Sequence, residues 1–177
     1  PMLIACGSGK VSSGVDGTKT GASLTGEETK KVCNAYFDYY ESQVNSISKD
    51  DACKVAGVAV ATAAALTPGA TDASVQTQCQ SFFDTCKNAT ETGNGGGGGG
   101  ETDPCVNVTA PVTTCTATVA DVETCLTEVV DGTVGAVKDV PACSALTVAY
   151  YTNPPAKPAP SAACVNTRDL CADALPP

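Results

Sequence analysis

Eleven cysteines and no histidine set what chemistry this chain can do. In a cytosolic protein such cysteines would serve metal binding or catalysis. No C-x-x-C pair is present, no histidine completes a Cys/His zinc site, and no haem-attachment motif occurs. The expected chemistry is therefore oxidation to disulfides in an oxidising compartment. Ten cysteines are expected to pair: Cys33, Cys53, Cys79, Cys86, Cys105, Cys115, Cys125, Cys143, Cys164 and Cys171. Without histidine there is no His-based triad, general base or metal ligand. The carboxylate pairs Glu27/Glu28 and Asp50/Asp51 fall in helix first turns, where they complete caps and favour the helix dipole. No catalytic residue, metal ligand or cofactor is assigned.

The 177 residues allow one or two small domains. Aromatics make up only 5% and tryptophan is absent, so the apolar content is largely Ala and Val and the cores are expected to be small. The net charge of −9 is spread along the chain: residues 24–91 hold 9 acidic and 5 basic groups, and residues 92–177 hold 9 and 3. With no basic patch, nucleic acid is not an expected partner.

The elements that must position the cysteines are helices. Gln78 to Cys86 carries Cys79 and Cys86 seven apart, and Cys164 and Cys171 repeat the spacing. On a helix, such a pair is about 10 Å apart along the axis, beyond the reach of one disulfide. Each cysteine must therefore bridge to another element. Thr25-Gly-Glu-Glu28 is a capping box, followed by an apolar stripe of Cys33, Phe37, Tyr40, Val44 and Ile47; Tyr36 and Tyr39 fall off it as a candidate contact patch. Ser48 to Asp51 caps a second helix through Cys53, Val55, Val58, Val60 and Leu66. Asp72 opens a third with Val75, Cys79, Phe82 and Cys86. Beyond the glycine run, Thr118 to Asp121 caps a helix with a stripe of Val122, Cys125, Leu126, Val129, Val130 and Val137, weakened by Gly132. Asp139 to Cys143 sits where Lys49 to Cys53 sat. Tyr150-Tyr151 is a second contact candidate, a proline-rich loop follows, and Ser161 caps the last helix. From the capping threonine the steps between cysteines are 8, 20, 26 and 7 in one half and 7, 18, 21 and 7 in the other.

The expected fold is all-α: two small disulfide-stapled three-helix units in tandem, with a flexible N-terminal tether and a polyglycine linker. The divisions are 1–23 for the lipobox remnant and tether, 24–91 for the first unit, 92–104 for the linker and 105–177 for the second unit. Helices running up, down and up match cysteine heights as Cys33–Cys79 with Cys53–Cys86, and Cys125–Cys164 with Cys143–Cys171, leaving Cys105 with Cys115. A single bundle with disulfides crossing between the halves is the alternative.

The unmatched eleventh cysteine is Cys6. Leu3-Ile4-Ala5-Cys6 resembles the lipobox of bacterial lipoproteins, and a Gly/Ser/Thr-rich stretch follows it. The charged and apolar regions of a signal peptide do not precede it, so the chain is read as a fragment starting just before a cleavage site. Together with Thr114-Cys-Thr-Ala-Thr-Val-Ala-Asp-Val-Glu-Thr-Cys125, these residues resemble uncharacterised Cys-rich lipoproteins of myxobacteria and related bacteria. The resemblance implies lipid chains on Cys6, membrane attachment through them and a cell-envelope location; Gly7 after the cysteine implies the outer membrane of a Gram-negative cell. It brings no activity. The expected function is a non-catalytic structural or interaction role with an envelope or extracellular protein partner. The alternative is a soluble secreted helical binding module or inhibitor.

Overall fold

The computed structural model describes residues 9–89, 104–108, 114–156 and 159–171. Within them the regular structure is helical: α1 (Gly26–Val44), α2 (Lys49–Ala65), α3 (Asp72–Asn88), α4 (Val119–Lys138), α5 (Val148–Thr152) and α6 (Ala162–Leu170), with 3₁₀ turns at Gly21–Ser23 and Cys143–Ala145. Five disulfides join Cys33–Cys105, Cys53–Cys86, Cys79–Cys143, Cys115–Cys171 and Cys125–Cys164. All ten cysteines expected to pair do so. Cys6 and the glycine run lie outside the described residues.

The chain divides into two compact units, each discontinuous in sequence. The first comprises Pro1–Val44, Gly99–Gly132 and Ala159–Pro177; the second comprises Asn45–Gly98 and Thr133–Pro158. The chain passes between them more than once, so each unit takes residues from both sides of the glycine stretch. Every disulfide stays within one unit, but Cys33–Cys105 and Cys79–Cys143 each join residues from opposite sides of that stretch.

The second unit is built on the hairpin of α2 and α3. Cys53, Gly57, Ala61 and Ala65, spaced by four, form a buried stripe of small side chains on α2. Val75 and Cys79 of α3 are both fully buried. Gly69, at φ +83°, turns the chain between the helices as only glycine does readily. Ser48 and Thr71 cap the two helices with their hydroxyls. The third layer is the segment from Cys143 to Thr152. Leu146 is completely buried in the cluster with Ala61, Ala65 and Val75, and the half-buried Tyr150 and Tyr151 pack against it. Gln76 Nε2 donates to the Leu146 carbonyl at 2.9 Å, the Val148 N–H donates to Asp72 Oδ1 at 2.8 Å, and Tyr151 donates to the Val58 carbonyl at 3.0 Å.

This arrangement explains the cysteine pairings. Cys53–Cys86 forms as expected because α2 and α3 are antiparallel. Cys79 does not reach Cys33. It faces Gly57, and the Cys143 sulfur lies against the same spot: a Cβ at Gly57 would stand 2.9 Å from the Cys79 carbonyl oxygen, 3.2 Å from its sulfur and 3.7 Å from the Cys143 sulfur. The height matching had placed α1 beside α3, whereas the small-residue stripe selects the Cys143 segment. Gly57→Ala is expected to cost about 1–3 kcal/mol by overpacking against backbone. Gly132 and Gly135 of α4 have open space where a Cβ would stand. Gly132→Ala is therefore expected to raise stability by about 0.5–1 kcal/mol through helix propensity. Thermal melts of the two variants shift in opposite directions.

The first unit gathers α1, the leading part of α4, and α6. Residues 9–23 are not a tether from Gly9 onward. Val11 is buried at 1% exposure, and its N–H donates to Thr127 Oγ1 at 2.9 Å. The Ser13 N–H and hydroxyl both donate to Glu123 Oε1, at 2.7 and 2.5 Å. Thr20 and Thr118 form an antiparallel bridge, flanked by Gly21 N–H to the Ala117 carbonyl and Ala22 N–H to the Cys115 carbonyl. The Lys19 and Gly17 carbonyls accept from Val119 and Ala120 N–H, occupying amide groups that the first turn of α4 leaves unpaired. Composition pointed to a flexible chain because small polar residues carry no apolar pattern. Their partners lie on α4, more than a hundred residues away.

Cys125–Cys164 ties α4 to α6 as expected. Cys171 pairs with Cys115 rather than Cys143, and Cys105 pairs with Cys33 rather than Cys115. The counterpart of α2 expected near Cys143 is only a 3₁₀ turn and the five-residue α5, so no helix there presents Cys143 to α6. On α1 the stripe is rotated. Tyr39 is buried with Val11 and Val130, beside Ala35, Tyr36 and Leu126, while Tyr40 and Val44 are exposed. Tyr39 wins the interior because its hydroxyl finds an acceptor on α4, Asp131. Leu66, Phe82 and Val129, also placed on apolar stripes, are exposed as well.

Candidate functional site

The carboxylate pairs stand in helix first turns. Glu28 Oε2 accepts from the Thr25 N–H at 3.0 Å, the Glu28 N–H donates to Thr25 Oγ1 at 3.2 Å, and Lys19 Nζ contacts Glu28 Oε1 at 2.6 Å. The lysine bond first, then the Thr25 backbone bond, hold the Glu28 carboxyl down to about 2. Asp51 is also held below the ordinary carboxylate range, by Lys54 first and then by Ser48. Asp50 pairs with Lys87 at 3.0 Å. Glu28 and Asp51, held down in this way, stay ionised and make poor proton donors near neutral pH.

The aromatic groups divide. Tyr36 stands 5.1 Å edge-on to Phe37 and 6.2 Å from Tyr40 in a stacked arrangement. Tyr40 and Val44, one helical turn apart, are exposed beside this cluster. Tyr150 and Tyr151 instead belong to the core of the second unit. Tyr39 donates to Asp131 Oδ1 at 2.6 Å, and burial first, then Asp131, pushes its phenol up to about 12 from the ordinary value of 10. A folded value above the unfolded one adds stability that is fully present below pH 10 and lost as pH rises through about 12. One of the five tyrosines is therefore expected to ionise only near the top of an ultraviolet phenolate titration, and Tyr39→Phe to remove that late step. The same change is expected to cost about 1 kcal/mol at neutral pH.

Two recesses lie in the first unit. One, of about 350 Å³, is mixed in character; Lys10, Lys31, Asn34 and Asp38 line it with Ala35, Tyr39 and Ser42. The other, of about 190 Å³, is almost wholly apolar, lined by Leu24, Val32, Val119, Val122 and Leu126 together with Thr167 of α6. Thr167 is 3% exposed, and its hydroxyl has no hydrogen-bond partner. The sequence does carry a signal for Thr167: it lies three residues after Cys164 and four before Cys171, on the face that both disulfides turn inward. Asp131, Glu123 and Lys19 left no comparable signal, because each acts on a residue distant in sequence or outside its own helix.

The chain matches no protein-family model, no curated protein and no solved structure. Among the described residues no helix is long and apolar enough to cross a membrane, and no cluster of three or more His, Cys, Asp or Glu side chains could hold a metal ion.

Proposed function

We propose that this chain is a lipid-anchored cell-envelope protein with a non-catalytic structural or protein-interaction role. The observation that carries the reading is the pairing of ten of eleven cysteines in five disulfides, which leaves Cys6 as the one cysteine over. Five disulfides in a small helical protein fit an oxidising, extracytoplasmic compartment. Cys6 ends Leu-Ile-Ala-Cys, whose resemblance to a lipobox supports acylation, attachment to the outer membrane of a Gram-negative cell and kinship with the Cys-rich lipoproteins of myxobacteria. The absence of histidine from the sequence and the commitment of the Glu28 and Asp51 carboxylates to helix caps support a role without catalysis. The exposed Tyr40 and Val44 beside Tyr36 and Phe37 offer the kind of aromatic surface that protein partners use.

The test is incorporation of labelled fatty acid in a Gram-negative host, with the chain expressed behind a lipoprotein leader. Wild type is expected to carry label and to fractionate with the outer membrane, and Cys6→Ser to lose both. Equal label on the two proteins, or none on either, overturns the anchor. Recovery of wild type from the medium with a free Cys6 thiol selects the alternative, a soluble secreted binding module or inhibitor.

A further inference from the structure

The recess of about 350 Å³ in the first unit follows one face of α1, where Lys31, Asn34 and Asp38 recur at helical spacing, and Ser12 lines it from the N-terminal segment. Its volume lies at the lower end of small-molecule sites. Lys31 and Asp38 are seven residues apart on the helix, about 10 Å along its axis, too far to pair with each other. Both are exposed. Among the described residues no hydrogen bond or ion pair engages either side chain, nor the Asn34 side-chain amide between them. The recess therefore holds a cation, an amide and a carboxylate in line, all open to a ligand. Ser12 adds backbone to this set. Buried and exposed side chains alternate over residues 11–16, the mark of extended chain. The Val11 and Ser13 N–H groups are both turned to α4, so that of Ser12 points away from it. Among the described residues Ser12 has no hydrogen bond of its own.

We propose that this recess binds a short peptide with free ends, its carboxylate at Lys31 and its amine at Asp38. Three extended residues span about 10 Å, the axial distance between the two charges. Asn34, which both donates and accepts, stands where a peptide group of the ligand would lie, and the Ser12 backbone offers the edge pairing by which extended peptides are held. A neutral sugar would leave both charges unmatched. The site goes beyond the anchoring reading and is independent of Cys6.

Trialanine with free ends, its N-acetylated form and its C-terminal amide, added to the oxidised full chain and followed by ligand-observed NMR, are the probes. Wild type is expected to bind free trialanine at millimolar concentration and each blocked form about threefold to fivefold more weakly, the effect of one exposed ion pair. Lys31→Ala is expected to reduce the preference for carboxylate over amide and to keep that for the free amine; Lys10 also lines the recess, so the reduction is partial. Asp38→Asn is expected to lose the preference for the free amine and to keep that for the carboxylate. Both side chains are exposed, so both variants are expected to melt with wild type. Failure of free trialanine to bind at millimolar concentration, or equal binding of the three peptides, overturns the site. Preferences unchanged in both variants, or lost equally at both ends in each, overturn the roles of Lys31 and Asp38. Glucose binding as tightly as trialanine overturns the choice of a peptide.

Discussion

Joint replacement of Cys79 and Cys143 by alanine is expected to lower the unfolding free energy by about 4 kcal/mol, the chain-entropy value for a loop of this length. The bridge spans 64 residues of sequence and is the covalent tie between α3 and the Cys143 segment. It is buried over Gly57, so its loss also removes packing at the closest approach in the hairpin. A 177-residue chain with so few aromatics has little apolar area to make up the difference. Denaturant unfolding of the double variant measures the effect. Hydrogen exchange should place the loss of protection in α2 and α3 while α1 and α6 keep theirs, since every disulfide lies within one unit. A loss below about 1 kcal/mol contradicts the assignment. So does a peptide map of the non-reduced protein that recovers Cys79 bound to Cys33.

Leu146→Ala should be the most damaging single truncation in the second unit, at about 4 kcal/mol, toward the upper end for a buried leucine. Leu146 is completely buried against Ala61, Ala65 and Val75. The site cannot readily collapse onto the void. The backbone on either side is held by the Cys143 bridge, by Gln76 at the Leu146 carbonyl and by Asp72 at the Val148 N–H. The buried α2 stripe opposite carries only cysteine, glycine and alanine, whose side chains are too short to fill the void. Leu66→Ala is the control. Leu66 is 65% exposed, and its truncation should stay within about 0.5 kcal/mol. Equal costs for the two leucines would mean that the segment around Leu146 does not seal the hairpin.

Sequence by itself determined the chemistry and the local structure: helices, oxidised cysteines, and the hydroxyl caps at Thr25, Ser48, Thr118 and Ser161, each of which accepts the amide three residues on. These features were legible because capping and helical period depend on residues within one or two turns. The two nearest pairings across a hairpin or between the capped helices α4 and α6, Cys53–Cys86 and Cys125–Cys164, could also be reached from cysteine heights. Tertiary structure alone decided the remaining three bridges, the docking of residues 9–23 on α4, and the inward turn of Tyr39. Each of these depends on a partner far along the chain: Asp131 for Tyr39, Gly57 for the Cys79–Cys143 bridge, and Thr127 and Glu123 for the N-terminal segment. A glycine run marks where a chain bends freely, but which helices meet across it is set by the fit of their faces. On α2 that fit came from a stripe of the smallest side chains, the positions an apolar pattern is least able to reveal.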